Sequence, residues 1–203
     1  MKFQAQLFRP YDSFVWKLTP GRLIISCLFL LTISSIIASI TEPTNLTIWR
    51  LSVLLSIGGL IIGGRWRYNY REAVFGTLTE TLKISEQSIT TDKEIYNWDS
   101  ISNFTFNVRD YEDKELFIEG MIYHRIYSDP FSAGINNFIS FEYNSATIEL
   151  QFKIDNIKHL EQFKRTIEPA FFNDHITPLN FQGGLGLSYE ELQEYKKKAH
   201  NMV

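Results

Sequence analysis

The chain has 203 residues, of which 44% are apolar and 21% charged, enough for one folded domain with accessories or two small units. Its single cysteine excludes a disulfide framework, and a formal charge of −3 argues against a general nucleic-acid binder. The apolar residues are unevenly spread, and that distribution carries most of the information.

Residues 1–22 mix aromatic and basic side chains (Phe3, Phe8, Tyr11, Phe14 and Trp16 with Lys2, Arg9, Lys17 and Arg22) and read as an interfacial segment on the cytoplasmic side of a membrane, with packing against the folded domain as the other use of these aromatics. The run Leu23–Ile40 follows, 18 residues without a charge and eleven of them Leu, Ile or Phe. As a helix it reaches about 27 Å, close to the hydrocarbon thickness of a bilayer. A cleaved signal peptide fits poorly, because no small-residue cleavage site follows and a second apolar run comes next. That run, Leu46–Gly64, carries Arg50 near its start, where the guanidinium can reach the headgroups beside Trp49. Only Thr41–Asn45 separates the two, so residues 23–72 read as a two-helix transmembrane hairpin with a basic flank, a re-entrant or interfacial second helix being the alternative.

Charge orients this hairpin. Residues 1–72 hold eight Lys/Arg against three Asp/Glu, net +5, but the short loop contributes Glu42 and no base. Positive flanks stay in the cytoplasm, so a multi-pass protein of the cell (inner) membrane with both termini cytoplasmic is expected. Trp16, Arg22, Trp49, Arg65, Trp66 and Arg67 are the candidate interface residues. Ser52, Ser56, Gly59 and Gly63 form a stripe of small residues that lets a second helix approach closely, with Ser35 and Ser39 as a similar patch on the first helix. Packing within the hairpin is the favoured use of this stripe, and homo-oligomerisation is the other. Neither span holds an acid, Lys or His at mid-depth, which disfavours a transport pathway.

From Val74 the apolar period shortens to two. Strands are expected at Thr81–Ser85, Ser88–Thr91, Glu94–Trp98, Phe104–Tyr111, Glu115–Tyr123, Phe138–Tyr143 and Ala146–Ile154, with a hairpin turn at Glu112–Lys114 and a polar stretch over Ser128–Asn137. An amphipathic helix capped by Asp155 or Asn156 closes the unit, its stripe of Ile157, Leu160, Phe163, Ile167 and Phe171 facing inward. About seven strands and a closing helix imply a bent antiparallel sheet or small barrel over residues 73–172. Residues 173–203 read as a glycine linker (Gly183, Gly184, Gly186) and a last helix opened by a Ser188/Glu191 capping box.

No catalytic or cofactor motif emerges. His124, His159, His175 and His200 lack ligand spacing, and Asp110, Glu112, Asp113 and Glu115 lack the loop that calcium requires. Neither a metal nor a cofactor is expected.

The strands TLKIS and SIT, the stretch Tyr96-Asn97-Trp98-Asp99-Ser100-Ile101 and the helix NIKHLEQFKRTI (Asn156–Ile167) resemble the bacterial pleckstrin-homology-like (PH-like) membrane proteins, particularly the YcxB-like group, over roughly residues 20–172. The resemblance implies a two-helix hairpin followed by a PH-like domain. Residues 73–203 carry net −8, and their early strands offer only Lys83 and Lys93, so phosphoinositide recognition is disfavoured. The expected role is a non-enzymatic adaptor or scaffold with the lipid bilayer and a protein as partners and no nucleic acid. An immunity protein against a toxin and an accessory subunit of a larger membrane complex are the alternatives.

Overall fold

The computed structural model describes residues 2–11, 18–40, 46–68, 70–116 and 130–200. Trp16, the Thr41–Asn45 connection, His124 and most of the expected strand Glu115–Tyr123 lie outside these residues. The chain divides into two compact units, residues 14–73 with 115–131, and residues 1–13, 74–114 and 132–203.

The larger unit is mostly β. Its strands are β1 (Lys2–Pro10), β2 (Gly76–Ser85), β3 (Ser88–Thr90), β4 (Ile95–Asn97), β5 (Ser102–Asn107), β8 (Asn137–Tyr143) and β9 (Ala146–Lys153), in the order β4-β3-β2-β1-β9-β8-β5. The named pairings are antiparallel. A separate two-stranded sheet pairs β6 (Glu112–Glu115) with β7 (Phe131–Ala133), where a tight turn and an irregular stretch were expected.

The edge strands β4 and β5 are joined only by the 3-10 turn Trp98–Ser100 and Ile101, which forces the sheet to roll up. The Tyr96 ring on β4 therefore meets Phe141 and Tyr143 of β8, at 5.0 and 5.1 Å between centroids. The two edges do not pair, so of the two expected forms the structure has the bent antiparallel sheet and not the closed barrel. Between β8 and β9, Asn144 and Ser145 form a two-residue turn with φ of 49° and 63°, both positive as a primed hairpin turn requires.

Helix α3 (Ile157–Phe172) covers the rolled sheet. Asn156 caps it, its side chain accepting the His159 N–H at 3.0 Å, and Leu160, Phe163, Thr166, Ile167, Ala170 and Phe171 are buried along one face. Phe163 is fully buried, its ring 5.2 Å from Phe3, 5.9 Å from Phe106 and 5.9 Å from Phe152. These contacts join the helix to three strands.

Two expectations need correcting here. Residues 2–10 are not an interfacial segment: Phe3, Ala5 and Leu7 point into the core while Lys2, Gln4 and Gln6 face out, making β1 an interior strand of the sheet. The domain thus begins before the apolar helices, which are inserted between two paired strands. Nor is the tail a linker. Thr177 caps α4 (Pro178–Leu185), which contains Gly183 and Gly184, and Phe181 is fully buried, stacked on Phe171 at 4.3 Å. Gly184 fits because a Cβ there would lie 2.5 Å from the Phe106 ring, and Gly186 ends the helix at φ 68°. The Ser188/Glu191 capping box forms as expected, with reciprocal bonds of 2.7 and 3.2 Å opening α5 (Tyr189–His200), and Leu192 is buried in the same core.

The smaller unit contains α1 (Pro20–Ile40) and α2 (Leu46–Arg67).

Candidate functional site

Helix α1 starts just after Thr19, whose carbonyl accepts the Leu23 N–H at 3.0 Å and whose hydroxyl accepts the Arg22 N–H at 3.3 Å. Over its 21 residues only Pro20 and Cys27 are buried. Ile25, Leu28, Phe29, Leu30, Ile33, Ile36 and Ile37 are all exposed, Phe29 at 66%. Among the described residues α1 is the one helix long and apolar enough by composition to cross a membrane. Helix α2 is of similar length and also exposes large apolar side chains, including Leu54 at 65% and Leu55 at 73%, but Arg50, Arg65 and Arg67 punctuate its ends. A soluble core helix buries a stripe of this kind; here the stripe is open to the surroundings.

The small-residue stripe supplies the contact between the two helices. A Cβ on Gly59 would overlap the Cys27 sulfur, and one on Gly63 would come within 2.9 Å of Ile24. Ser56 is 1% exposed, and Ser52 is half-buried one turn before it. Moving forward along α2 from Gly59 to Gly63 moves the contact backward along α1 from Cys27 to Ile24, so the helices run antiparallel. Gly59 and Gly63 of the stripe thus face α1 of the same chain. The expected counterpart on α1 is different: Ser35 and Ser39 are exposed, and Cys27, Ile24 and Leu23 form the facing surface.

The antiparallel arrangement sorts the interface residues. Gly63 lies beside Leu23 and the Pro20 carbonyl, so Arg22 shares one end of the pair with Arg65, Trp66 and Arg67, whereas Trp49 stands at the other. Trp66 is 41% exposed and packs edge-on against Tyr70 at 5.6 Å. The separation of Trp49 and Trp66, 17 residues of helix, corresponds to about 26 Å. Between the two ends the hydroxyls of Thr32, Ser35, Ser39, Ser52 and Ser56 each donate to a carbonyl one turn back, at 2.6 to 2.8 Å. Those bonds leave no hydroxyl proton of these five residues needing water, the condition for placing them in hydrocarbon.

In the larger unit two of the four clustered acids, Asp110 and Glu112, are tied into the structure. The buried Asp110 carboxylate accepts the Ser132 hydroxyl at 2.6 Å and the Asn136 N–H at 3.1 Å, and Glu112 pairs with Lys153 at 2.7 Å. His159 bonds the Gln4 carbonyl at 2.8 Å, and His175 stacks over Trp98 at 6.0 Å. Among the described residues no three His, Cys, Asp or Glu side chains are grouped to hold a metal. An open cleft of about 480 Å³ lies between the Phe8–Pro10 end of β1 and Phe138, Leu150 and Gln151, with no convergent set of reactive groups.

Glu80 holds the end of β1 to the β3–β4 loop, through Arg9 at 2.7 Å and Lys93 at 2.9 Å. The Lys93 hydrogen bond, helped by the charges of Arg9 and Lys93, keeps the Glu80 carboxyl below the usual carboxylate range.

Comparison with protein-family models, curated proteins and solved structures finds no match to this chain.

Proposed function

We propose that this protein is a non-enzymatic adaptor anchored in the cytoplasmic membrane by an α1–α2 hairpin, presenting a PH-like domain to a protein partner at the cytoplasmic face. The observation that carries the anchor is the exposure of large apolar side chains on the faces of α1 turned away from α2, with the same character on the outer face of α2. The antiparallel contact at Gly59 and Gly63 and the self-satisfied hydroxyls support two crossings rather than one. Arg22, Arg65 and Arg67 at one end support a cytoplasmic domain.

The rolled seven-stranded sheet with its covering helix supports the PH-like reading of the domain and, through it, the YcxB-like resemblance, with the hairpin placed inside the domain rather than before it. The net charge of −8 over residues 73–203 favours a protein partner over anionic lipid headgroups.

The test has two arms. The full chain should remain with membranes in alkaline carbonate. The domain freed of its helices, with residues 1–10 joined through a short turn to residues 76–203, should not float with phosphatidylglycerol vesicles. Release of the full chain by carbonate overturns the anchor, and firm vesicle binding by the joined domain overturns the protein-partner reading.

A further inference from the structure

Strands β1 and β2 are partners along their whole length, Lys2 opposite Ser85 and Pro10 opposite Gly76, although residues 11–75 intervene in the chain. On its other side β1 pairs with β9 at Gln6–Lys153 and Leu7–Phe152. Where β9 has ended, α3 takes over that edge: Gln162 donates to the Lys2 carbonyl at 2.8 Å, and His159 bonds the Gln4 carbonyl at 2.8 Å. Phe3 is fully buried between Phe152 and Phe163. Strand β1, which precedes the apolar helices, is therefore held by groups from β2, β9 and α3, all of which follow them.

We infer that β1 is a topology lock: the sheet can be completed only when residues 11–75 leave from, and return to, one side of the bilayer. This rests on the membrane reading above and adds to it a coupling between insertion and domain folding. Paired strands lie about 4.8 Å apart. Pro10 and Gly76 therefore cannot stand on opposite faces of a hydrocarbon layer about 30 Å thick. A chain with α1 as its single crossing would put β1 in one compartment and β2, β9 and α3 in the other, removing Phe3, Ala5 and Leu7 from the core. The crossing number is even, and α2 is the return path despite Arg50. A half-inserted chain carries a split sheet in which β2 and β9 keep β3 and β8 but lose their pairing with β1, so only the correctly inserted molecule has a finished domain.

The full chain in intact membranes tests this. The Lys2 and Gln4 carbonyls point from β1 toward α3, so Gln4 is a non-hydrogen-bonded position toward β2. Its Cα should lie about 4.5 Å from that of Lys83, its partner, a separation that suits a disulfide. With copper phenanthroline as oxidant, Gln4→Cys/Lys83→Cys should close an intramolecular disulfide. Gln4→Cys/Thr79→Cys, displaced about 13 Å along β2, should do so at least tenfold less. In separate single variants Lys2→Cys and Lys197→Cys, both at exposed positions, a membrane-impermeant maleimide should label both from the same side. Labelling from opposite sides, or same-side labelling without the Gln4–Lys83 disulfide, overturns the lock while leaving the chain in the membrane. Recovery of the full chain in the carbonate supernatant instead removes the membrane reading and the lock with it.

Discussion

Helices α1 and α3 are built by opposite rules. Helix α3 buries six residues along one face, from Leu160 to Phe171, and turns Lys158, Glu161 and Arg165 outward. Helix α1 buries only Pro20 and Cys27 and shows Ile, Leu and Phe on every other side. The first pattern is made by water on one side and a protein core on the other; the second is that of a helix long and apolar enough to cross a membrane, the environment proposed for it here. One chain thus carries elements suited to two solvents, and the difference can be measured.

The largest expected effect comes from the core shared by β1 and α3. Phe163→Ala should cost about 3–5 kcal/mol of domain stability, and Phe3→Ala a comparable amount. Phe29→Ala, on the exposed face of α1, should leave domain unfolding unchanged. Chemical denaturation of the full chain in detergent, followed through protection of the domain from protease, separates these outcomes. A silent Phe3→Ala would return residues 2–10 to the surface.

Within the helix pair, neighbouring glycines provide an internal control. Gly59→Val collides with Cys27 and should weaken α1–α2 association by about 1–3 kcal/mol. Gly58 has open space, so Gly58→Val should be almost neutral when both variants of the full chain are titrated with denaturing detergent and α1–α2 separation is followed by intramolecular fluorescence transfer.

A smaller effect belongs to pH. Burial, reinforced by Glu94, pushes Tyr96 up to about 12, and burial together with the charge of Glu168 pushes Tyr195 up to about 12. An unfolded tyrosine titrates near 10. The fold therefore favours the neutral phenols; that contribution is complete below about pH 10 and is lost as pH rises toward 12. Absorbance at 295 nm should show two late-titrating tyrosines, and Tyr96→Phe should remove one. At the acid end the contribution of Glu80 is present above the ordinary carboxylate range and disappears as pH falls through its lowered pKa. Glu80→Gln should flatten that part of the acid profile.

Much of this was legible in the residues. The apolar runs announced α1 and α2, alternation in Ile148-Glu149-Leu150-Gln151-Phe152 announced β9, and Asn156 and Ser188/Glu191 marked helix starts that the structure keeps. Strand β1 also alternates, yet its partner lies beyond two apolar helices, and local pattern cannot say which distant strand a segment joins. In α4 Gly183 and Gly184 suggest a linker, because the use of Gly184, its close approach to the Phe106 ring, exists only in the folded core. The stripe of Ser56, Gly59 and Gly63 was readable from spacing. Its partner surface around Cys27 was not, because register between two helices depends on the shapes of both.

The account turns on what surrounds the apolar faces of α1 and α2, and photolabelling of the full chain in native membranes by a probe carried on lipid acyl chains reports it directly. The prediction is label on Phe29, Leu30, Leu54 and Leu55, and none on Leu160 or Phe163. Peptides from α1 and α2 without label, in membranes where a known integral protein is labelled, would contradict it.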